Sequence, residues 1–377
     1  MSAHTVLIKV FRKACSLFRY FYTLILSFLW RPWAVFDSPS ELFAGQVVLT
    51  QRYFSNGLST YVVHVGFVKY GRIFTERVSN ISVIAYRKLI AQLSWQYGNF
   101  SQIGDPSKNK IFSLSAPLIA RSPVLFDTSV VSLLTGGGGN YNIYHWLYDA
   151  LPRLKCISEA GCDISRSLVL VPSLAYEFQK QSLACLGLRA SQLLSSEDYP
   201  HLSAKALWVS SHPNPDDHNI PLWIIDYLRS SFLPLRRLPS YAGSRVYIAR
   251  GDAVNSRNLC NEKDLLCRLS AHGFQSIQLS DYSFVEQVGI FANAKMIVAS
   301  HGAGLAHLPF CSSGVNVVEL FSDVHAPQMY QSISTTLGLQ YSSLTGSTQG
   351  FSGPPHVRGF VLSSGQIDLI LELLGLS

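Results

Sequence analysis

The chain reads as an α/β protein of two units, the first carrying extra β structure. Three observations point there. From residue 167 onward, short β-branched apolar runs alternate with longer helical segments, and short links between them imply right-handed crossovers and a parallel sheet. Residues 40–135 instead hold mostly short strand-like runs and turns. Near the C-terminal end, an apolar run from Lys295 to Ser300 stops at His301-Gly302-Ala303-Gly304, and a second, Val315 to Val318, ends on Glu319. A length of 377 residues accommodates two domains.

In order, Gln46 to Thr50, Thr60 to Val68 and Arg72 to Thr75 alternate or run apolar as strands do, with a turn at Ser55-Asn56-Gly57. Tyr86 to Tyr97 is expected to form one helix. Val130 to Leu134 is a buried strand that runs into Gly136-Gly137-Gly138-Gly139, and a helix follows from Asn140 or Tyr141 to Pro152 or soon after. Ser167 to Val171 and Ala206 to Ser210 are strands, while Ala175 to Gly187 and Ile220 to Phe232 are helices. Leu233 to Gly243, with two prolines and two arginines, is the linker. The second half continues with a strand at Arg245 to Ala249, a helix at Asn261 to His272 stopped by Gly273, and a strand at Phe274 to Leu279. Ser283 and Glu286 form a capping box for a helix reaching Ala294, and Ile367 to Leu374 closes the chain as a helix. The expected division is a basic amphipathic segment at 1–36, a first α/β domain at 37–235, a second at 236–355, and a closing helix at 356–377.

The formal net charge of +7 is unevenly placed. Lys9, Arg12, Lys13, Arg19 and Arg31 supply +5 within the first 36 residues, which hold no acid, leaving +2 for the rest. A basic tail on a near-neutral body argues against a nucleic-acid groove and for a membrane-surface anchor. At helical spacing Leu7, Phe11, Phe18, Ile25 and Leu29 share one face, and Lys9, Arg12, Lys13 and Arg19 the opposite arc. The longest uncharged run, Tyr20 to Trp30, has 11 residues, against about 20 needed to span a bilayer. An in-plane membrane helix is therefore favoured over a span, a signal peptide or a docking helix. Seven cysteines without a C-x-x-C pair suggest free thiols in a reducing compartment.

Three clusters carry chemistry. A strand feeding two glycines and then helix-forming residues places backbone N–H groups where they bind phosphate, and a carboxylate closing the neighbouring strand sits where α/β sheets meet a ribose. These are His301 to Gly304 and Glu319, with a packed core histidine and a surface acid as the plain alternatives. His145, Asp149 and Arg153 are each four apart, so they share a helix face if the helix continues past Pro152. One of His145 and Asp149 is suited to act as general base, the other to orient it or bind an acceptor. The plain alternative is an Asp149–Arg153 surface pair. Arg250, at a strand end, and Arg257, in the loop behind it, suit a diphosphate held by forked bonds; solvated loop arginines are the alternative. HGAG lacks the G-x-S-x-G turn of esterases, and GAGLAH does not complete G-x-G-x-x-G, which disfavours hydrolase and nicotinamide chemistry. Neither D-x-D nor a His/Cys cluster with metal spacing occurs, so no metal is expected.

Taken in order, YNIYHWLYDALPRL (141–154), YIARGDAVNSRNLCNE (247–262) and FVEQVGIFANAKMIVASHGAGLAHLPFCSSGVNVVEL (284–320) resemble the family 61 glycosyltransferases. That family includes eukaryotic xylosyl- and N-acetylglucosaminyltransferases and bacterial enzymes of capsule and surface-polysaccharide assembly. The resemblance covers roughly residues 130–325. It implies a GT-B-like fold, two Rossmann-like domains with a cleft between them, and an inverting mechanism without metal. By the same resemblance, Arg250 and Arg257 hold the donor pyrophosphate, and Asn261 and Glu262 shape their loop. His301, Gly302, Ala303 and Gly304 line the phosphate and sugar, and Glu319 takes the ribose. His145 and Asp149 come from the acceptor-side domain, along with Asn140, Tyr144 and Arg153.

The expected function is transfer of a sugar from a nucleotide-sugar, UDP-linked, to a glycan or glycolipid acceptor, with no further cofactor. The alternatives are a non-catalytic membrane-associated nucleotide- or sugar-binding protein and another nucleotide-binding α/β enzyme. The basic start, the unpaired cysteines and the absence of a long secretory stem place the expected enzyme on the cytoplasmic face of a bacterial inner membrane.

Overall fold

The computed structural model describes residues 34–36, 47–55, 60–76, 80–96, 122–135, 141–214, 219–240, 243–251, 258–354 and 358–376. The amphipathic segment up to residue 33, the glycine run, Asn140 and Arg257 lie outside these.

The first sheet is mixed. Its strands are β1 (Ala34–Phe36), β2 (Val47–Ser55), β3 (Thr60–Lys69), β4 (Arg72–Glu76), β5 (Asn80–Ala85), β6 (Lys88–Ile90), β7 (Trp95–Gln96), β8 (Val124–Ser132), β9 (Leu168–Val171), β10 (Leu193–Ser195) and β11 (His201–Ser210). The path runs β1-β6-β5-β4-β11-β8-β9-β10, with β2 on β3, β3 also on β11, and β7 on β5. The pairs formed among β2 to β7 are antiparallel. β8 to β11 run parallel where helices intervene. β1 pairs with β6, so the end of the basic segment belongs to this sheet.

The helix expected at Tyr86 to Tyr97 is absent. Tyr86 and Arg87 take left-handed φ values of 46° and 59°, turning the chain between β5 and β6. A helix cannot pass through two such residues.

Among the described residues, this unit has the helices α1 (Ile143–His145), α2 (Pro152–Glu159), α3 (Glu177–Cys185) and α4 (Leu222–Phe232). Between α1 and α2, Trp146–Ala150 forms a π-helical turn, closed by Leu151 N–H to Trp146 O at 3.0 Å. Pro152 explains the widening. It has no N–H, and its ring would meet the carbonyl four residues back in a regular helix.

The second sheet is wholly parallel: β12 (Arg245–Ile248), β13 (Gln275–Ile277), β14 (Met296–Ser300), β15 (Asn316–Ser322) and β16 (Gln340–Gly346), in the order β13-β12-β14-β15-β16. The near-continuous burial of β12, β14 and β15 is what a sheet covered on both faces requires. α5 (Glu262–Ala271), α6 (Phe284–Asn293), α7 (Met329–Leu337) and α8 (Ser364–Leu373) provide the cover. The capping box at the start of α6 forms as expected, Ser283 N–H reaching Glu286 Oε2 at 2.9 Å. α8 packs Ile367, Ile370 and Leu371 with Leu265 and Leu269 of α5, so it closes the second unit.

The units share one core. Trp146, Leu147 and Leu151 from the first cluster with Phe284, Phe291 and Phe310 from the second. Tyr148 donates its hydroxyl to Ala306 O at 2.9 Å, Arg229 reaches Cys311 O at 2.8 Å, and the Phe284 N–H meets Gln181 Oε1 at 2.6 Å. The chain between the units is held against α6 at Gly289, where a Cβ would lie 2.1 Å from Arg237 O.

Candidate active site

β12 has β13 on one side and β14 on the other, so the winding direction reverses between β12 and β14. In an open parallel sheet, the crevice beyond the carboxyl ends at such a reversal is where ligands bind. Here those ends are Ile248 and Ser300, and the residues beyond them are Arg250 and His301-Gly302. Arg250 Nη1 donates to His301 O at 2.6 Å. A Cβ on Gly302 would stand 1.7 Å from that same Nη1. Gly302 is extended (φ 170°), so close approach of the guanidinium, and not backbone strain, calls for glycine.

A cavity of about 330 Å³ opens at this point. One wall holds Arg250, Ser300 and Gly302 to Gly304; the other holds Tyr141, Asn142, Ile143, Tyr176 and Phe178 from the first unit. The segment after the glycines is Ala303–Phe310, a 3-10 helix and not the regular helix its composition suggested. Pro309 lies inside it, which a regular helix would not tolerate. Its leading N–H groups therefore act as local donors more than as the end of a long dipole.

Glu319 departs from expectation. β15 continues to Ser322, so this carboxylate lies mid-strand opposite Ala299 and has no exposed surface. Oε1 takes His301 Nδ1 at 2.6 Å and Oε2 takes the Tyr341 hydroxyl at 2.6 Å. A ribose cannot reach a carboxylate so enclosed; Glu319 stands behind His301 and fixes its ring. His301 is further held by Phe321, stacked at 5.3 Å, and by Tyr330 at 5.5 Å. Burial, then the neighbouring Glu319, pushes the Tyr341 phenol well up.

The first unit presents a matching pair. Asn142 Oδ1 accepts from Tyr144 N–H at 2.9 Å and starts the helix. His145 Nδ1 then meets Asp149 Oδ2 at 2.6 Å across the π turn. The Asp149 side chain is 4% exposed and that of His145 33%, so the carboxylate is sealed and the imidazole reaches solvent. Burial would raise the Asp149 pKa; the His212 and His145 imidazoles and Arg153 outweigh it and hold the group below the ordinary carboxylate value.

Arg153 is not on an acceptor surface. It is 3% exposed, and its Nε bonds the backbone oxygen of Asp149 at 2.9 Å while Nη1 bonds Ser210 O at 2.5 Å. The widened turn shifts it off the carboxylate, and burial lowers its pKa to about 10. Tyr144, 4% exposed, is likewise interior: its ring meets His145 at 5.3 Å and Tyr330 at 6.0 Å, bridging the two imidazole–carboxylate pairs. Asn261 spends its amide on Leu362, donating to O at 2.9 Å and accepting from N–H at 3.1 Å. Glu262 accepts the Tyr247 hydroxyl at 2.8 Å. With Arg250 and Ser300, both line a second cavity of about 700 Å³ that adjoins the first.

The residue that sequence reasoning missed is His212. Its Nε2 stands 3.7 Å from Asp149 Oδ2. In sequence it lies in a proline-broken polar loop with nothing to tie it to Asp149.

Comparison with known proteins bears on this geometry. Residues 143–318 match the model of the family described as Glycosyltransferase 61. Mouse protein O-linked-mannose beta-1,4-N-acetylglucosaminyltransferase 2 is 34% identical over 111 residues, 28% of this chain and 19% of that protein. The human protein of the same name is 36% identical over 93 residues, 24% of this chain and 16% of its own length. Drosophila melanogaster EGF domain-specific O-linked N-acetylglucosamine transferase is 31% identical over 99 residues, 26% of this chain and 18% of its own length. The chain thus matches about a fifth of the length of these relatives. The similarity to glycosyltransferase family 61 spans residues 143–318, a little under half of this chain.

The expected location is overturned by the same comparison. The relatives are animal O-linked glycan transferases, not enzymes of a bacterial inner membrane, and capsule assembly has no counterpart among them. No helix among the described residues is long and apolar enough to cross a membrane.

Proposed function

We propose that the chain is an inverting glycosyltransferase that moves a sugar from a nucleotide-sugar to a hydroxyl of a glycan or glycolipid, working between two α/β domains arranged in the GT-B manner. The observation that carries this is Arg250 packed on Gly302 at the winding reversal, lining a cavity whose opposite wall begins the helix bearing His145 and Asp149.

In a single displacement the acceptor oxygen attacks the anomeric carbon and its proton passes to His145 Nε2. The bond from that carbon to the diphosphate oxygen breaks, and the electron pair leaves with the diphosphate. His145 is the base because its imidazole is the accessible member of the pair; Asp149, sealed and bonded to Nδ1, orients the ring and stabilises the imidazolium. Arg250 and the N–H groups of Gly302 to Gly304 neutralise the leaving group, the larger contribution to rate. With these groups as counter-charge, transfer is expected to continue in EDTA. Support for a UDP-linked donor is the family alone, and the relatives' names make N-acetylglucosamine the first sugar to try. The basic amphipathic pattern of residues 1–36 supports attachment to a membrane surface.

The test is transfer and donor hydrolysis by the purified chain over a panel of nucleoside diphosphosugars, with and without EDTA. Arg250→Ala is expected to abolish both while the protein stays folded. Normal turnover in that variant would remove the reading, and binding without either reaction would make the chain a sugar-nucleotide-binding protein.

A further inference from the structure

One carboxylate oxygen of Asp149 faces two imidazoles: His145 Nδ1 at 2.6 Å and His212 Nε2 at 3.7 Å from Oδ2. The contacts differ in kind. His212 Nδ1 lies 2.5 Å from the carbonyl oxygen of Asn214, and a carbonyl only accepts, so Nδ1 carries the proton. In the neutral ring Nε2 then turns a lone pair toward a carboxylate, which accounts for a separation beyond hydrogen-bond distance. Oδ1 of Asp149 is buried without a hydrogen-bond partner among the described residues. Asp149 therefore accepts one side-chain hydrogen bond there, from His145.

We propose that His212 is a positioning residue for the His145 base, and that a proton gained at its Nε2 switches that base off. The added proton makes Nε2 a donor aimed at Oδ2. It draws the carboxylate from His145 and sets a second positive charge beside the imidazolium that His145 must become. This rests on His145 being the base. The charged and titratable groups facing His212 among the described residues are Asp149, His145 and Arg153 from the helical run at 143–159, and His64 of β3 across a cavity of about 50 Å³. Burial, Arg153 and His145 oppose the proton and Asp149 favours it, with the balance lowering the pKa below the usual histidine value. The switch therefore acts on the acid side of the ordinary imidazole range.

The experiment is kcat/KM against pH for the wild type and His212→Asn, whose amide nitrogen can keep the bond to Asn214 O but places nothing titratable against Asp149. The wild-type acid limb is expected to steepen from one proton to two, and the variant to keep a one-proton limb throughout. Its activity relative to its own plateau would then exceed that of the wild type by about tenfold per pH unit in the steep region. Limbs of identical shape, with activity lowered equally at every pH, would mean that His212 only braces its loop, and the proposal would be wrong. If the variant does not fold, NMR titration of the wild-type histidine rings decides: His145 must show a second inflection where His212 titrates, and a single inflection overturns the proposal. His145→Ala tests the parent assignment separately, because turnover surviving there removes the base and not merely its positioning partner.

Discussion

Arg250 and Gly302 stand so close that no side chain fits between them: a Cβ on Gly302 would lie 1.7 Å from Arg250 Nη1 and 3.0 Å from Cζ. The obstructing atoms are the far end of a flexible side chain, so the fold can yield there. Gly302→Ala is expected to displace the guanidinium, cost about 10²–10³ in kcat, and leave the melting temperature nearly unchanged. Near-normal kcat in a folded variant would detach Arg250 from the leaving group.

Gly289→Ala is the counterpart. Its Cβ would strike the backbone of Arg237 at 2.1 Å, and backbone cannot swing aside. Overpacking of this kind costs about 1–3 kcal/mol. The expected result is a lower denaturant midpoint with kcat preserved in the folded fraction. A stability equal to that of the wild type would show that the chain between the units is not pinned to α6.

The buried Glu319 should respond differently at its two oxygens. Tyr341→Phe leaves Oε2 without its 2.6 Å donor, and a buried acceptor left unmade costs about 1–3 kcal/mol. Stability should fall while the donor KM holds, since His301 keeps its bond to Oε1. Glu319→Gln should instead impair turnover by weakening the hold on His301. If Tyr341→Phe raised the donor KM tenfold without loss of stability, Glu319 would be nearer the ligand than its burial allows.

How much of this could be read from the sequence depends on the range of the interaction. Arg250 and Gly302 were legible because a strand end and a glycine turn are local patterns. The capping box at Ser283 was legible for the same reason. Glu319 was recognised but misplaced, since nothing local shows that β15 runs three residues further to pair with β16. Arg153 was assigned to the right helix and the wrong surface, because spacing by four assumes a regular helix and Pro152 widens this one. The helix expected over Tyr86 to Tyr97 failed on two left-handed residues that carry no glycine to announce them. His212 was beyond reach, its partner being set by tertiary packing alone.

His307, in the lining of the cavity beside Gly304, gives a pH dependence of stability. Burial lowers its pKa from 6.5 to about 4, opposed only in part by its bond to Gly304 O. The unfolded chain therefore takes up this proton first. Stability is complete above pH 6.5 and falls as the pH drops toward 4, by on the order of 3 kcal/mol across that window. Denaturation by urea at pH 7.5 and pH 5 should show the loss in the wild type and a smaller one in His307→Gln. Equal losses in both would assign the slope to other groups.

Asp149 combines stability and catalysis in one side chain. Its folded pKa lies below the unfolded value, so the stability it contributes is present above the unfolded pKa and is lost as pH falls through the folded one. Asp149→Asn should therefore flatten the acid end of the stability profile. The amide can still occupy the space, but it cannot offset the charge that His145 acquires when it takes the acceptor proton, and an amide NH₂ turned toward Nδ1 would favour the wrong tautomer. A loss of about 10⁴ in kcat, with the donor KM little changed, is expected by analogy with other carboxylate-backed imidazole bases. Loss confined to KM would mean that the pair grips the acceptor and does not take its proton. Loss of folding at pH 7 would mean that the sealed carboxylate serves mainly to neutralise Arg153. Measuring kcat and KM for both substrates alongside the thermal midpoint separates these outcomes.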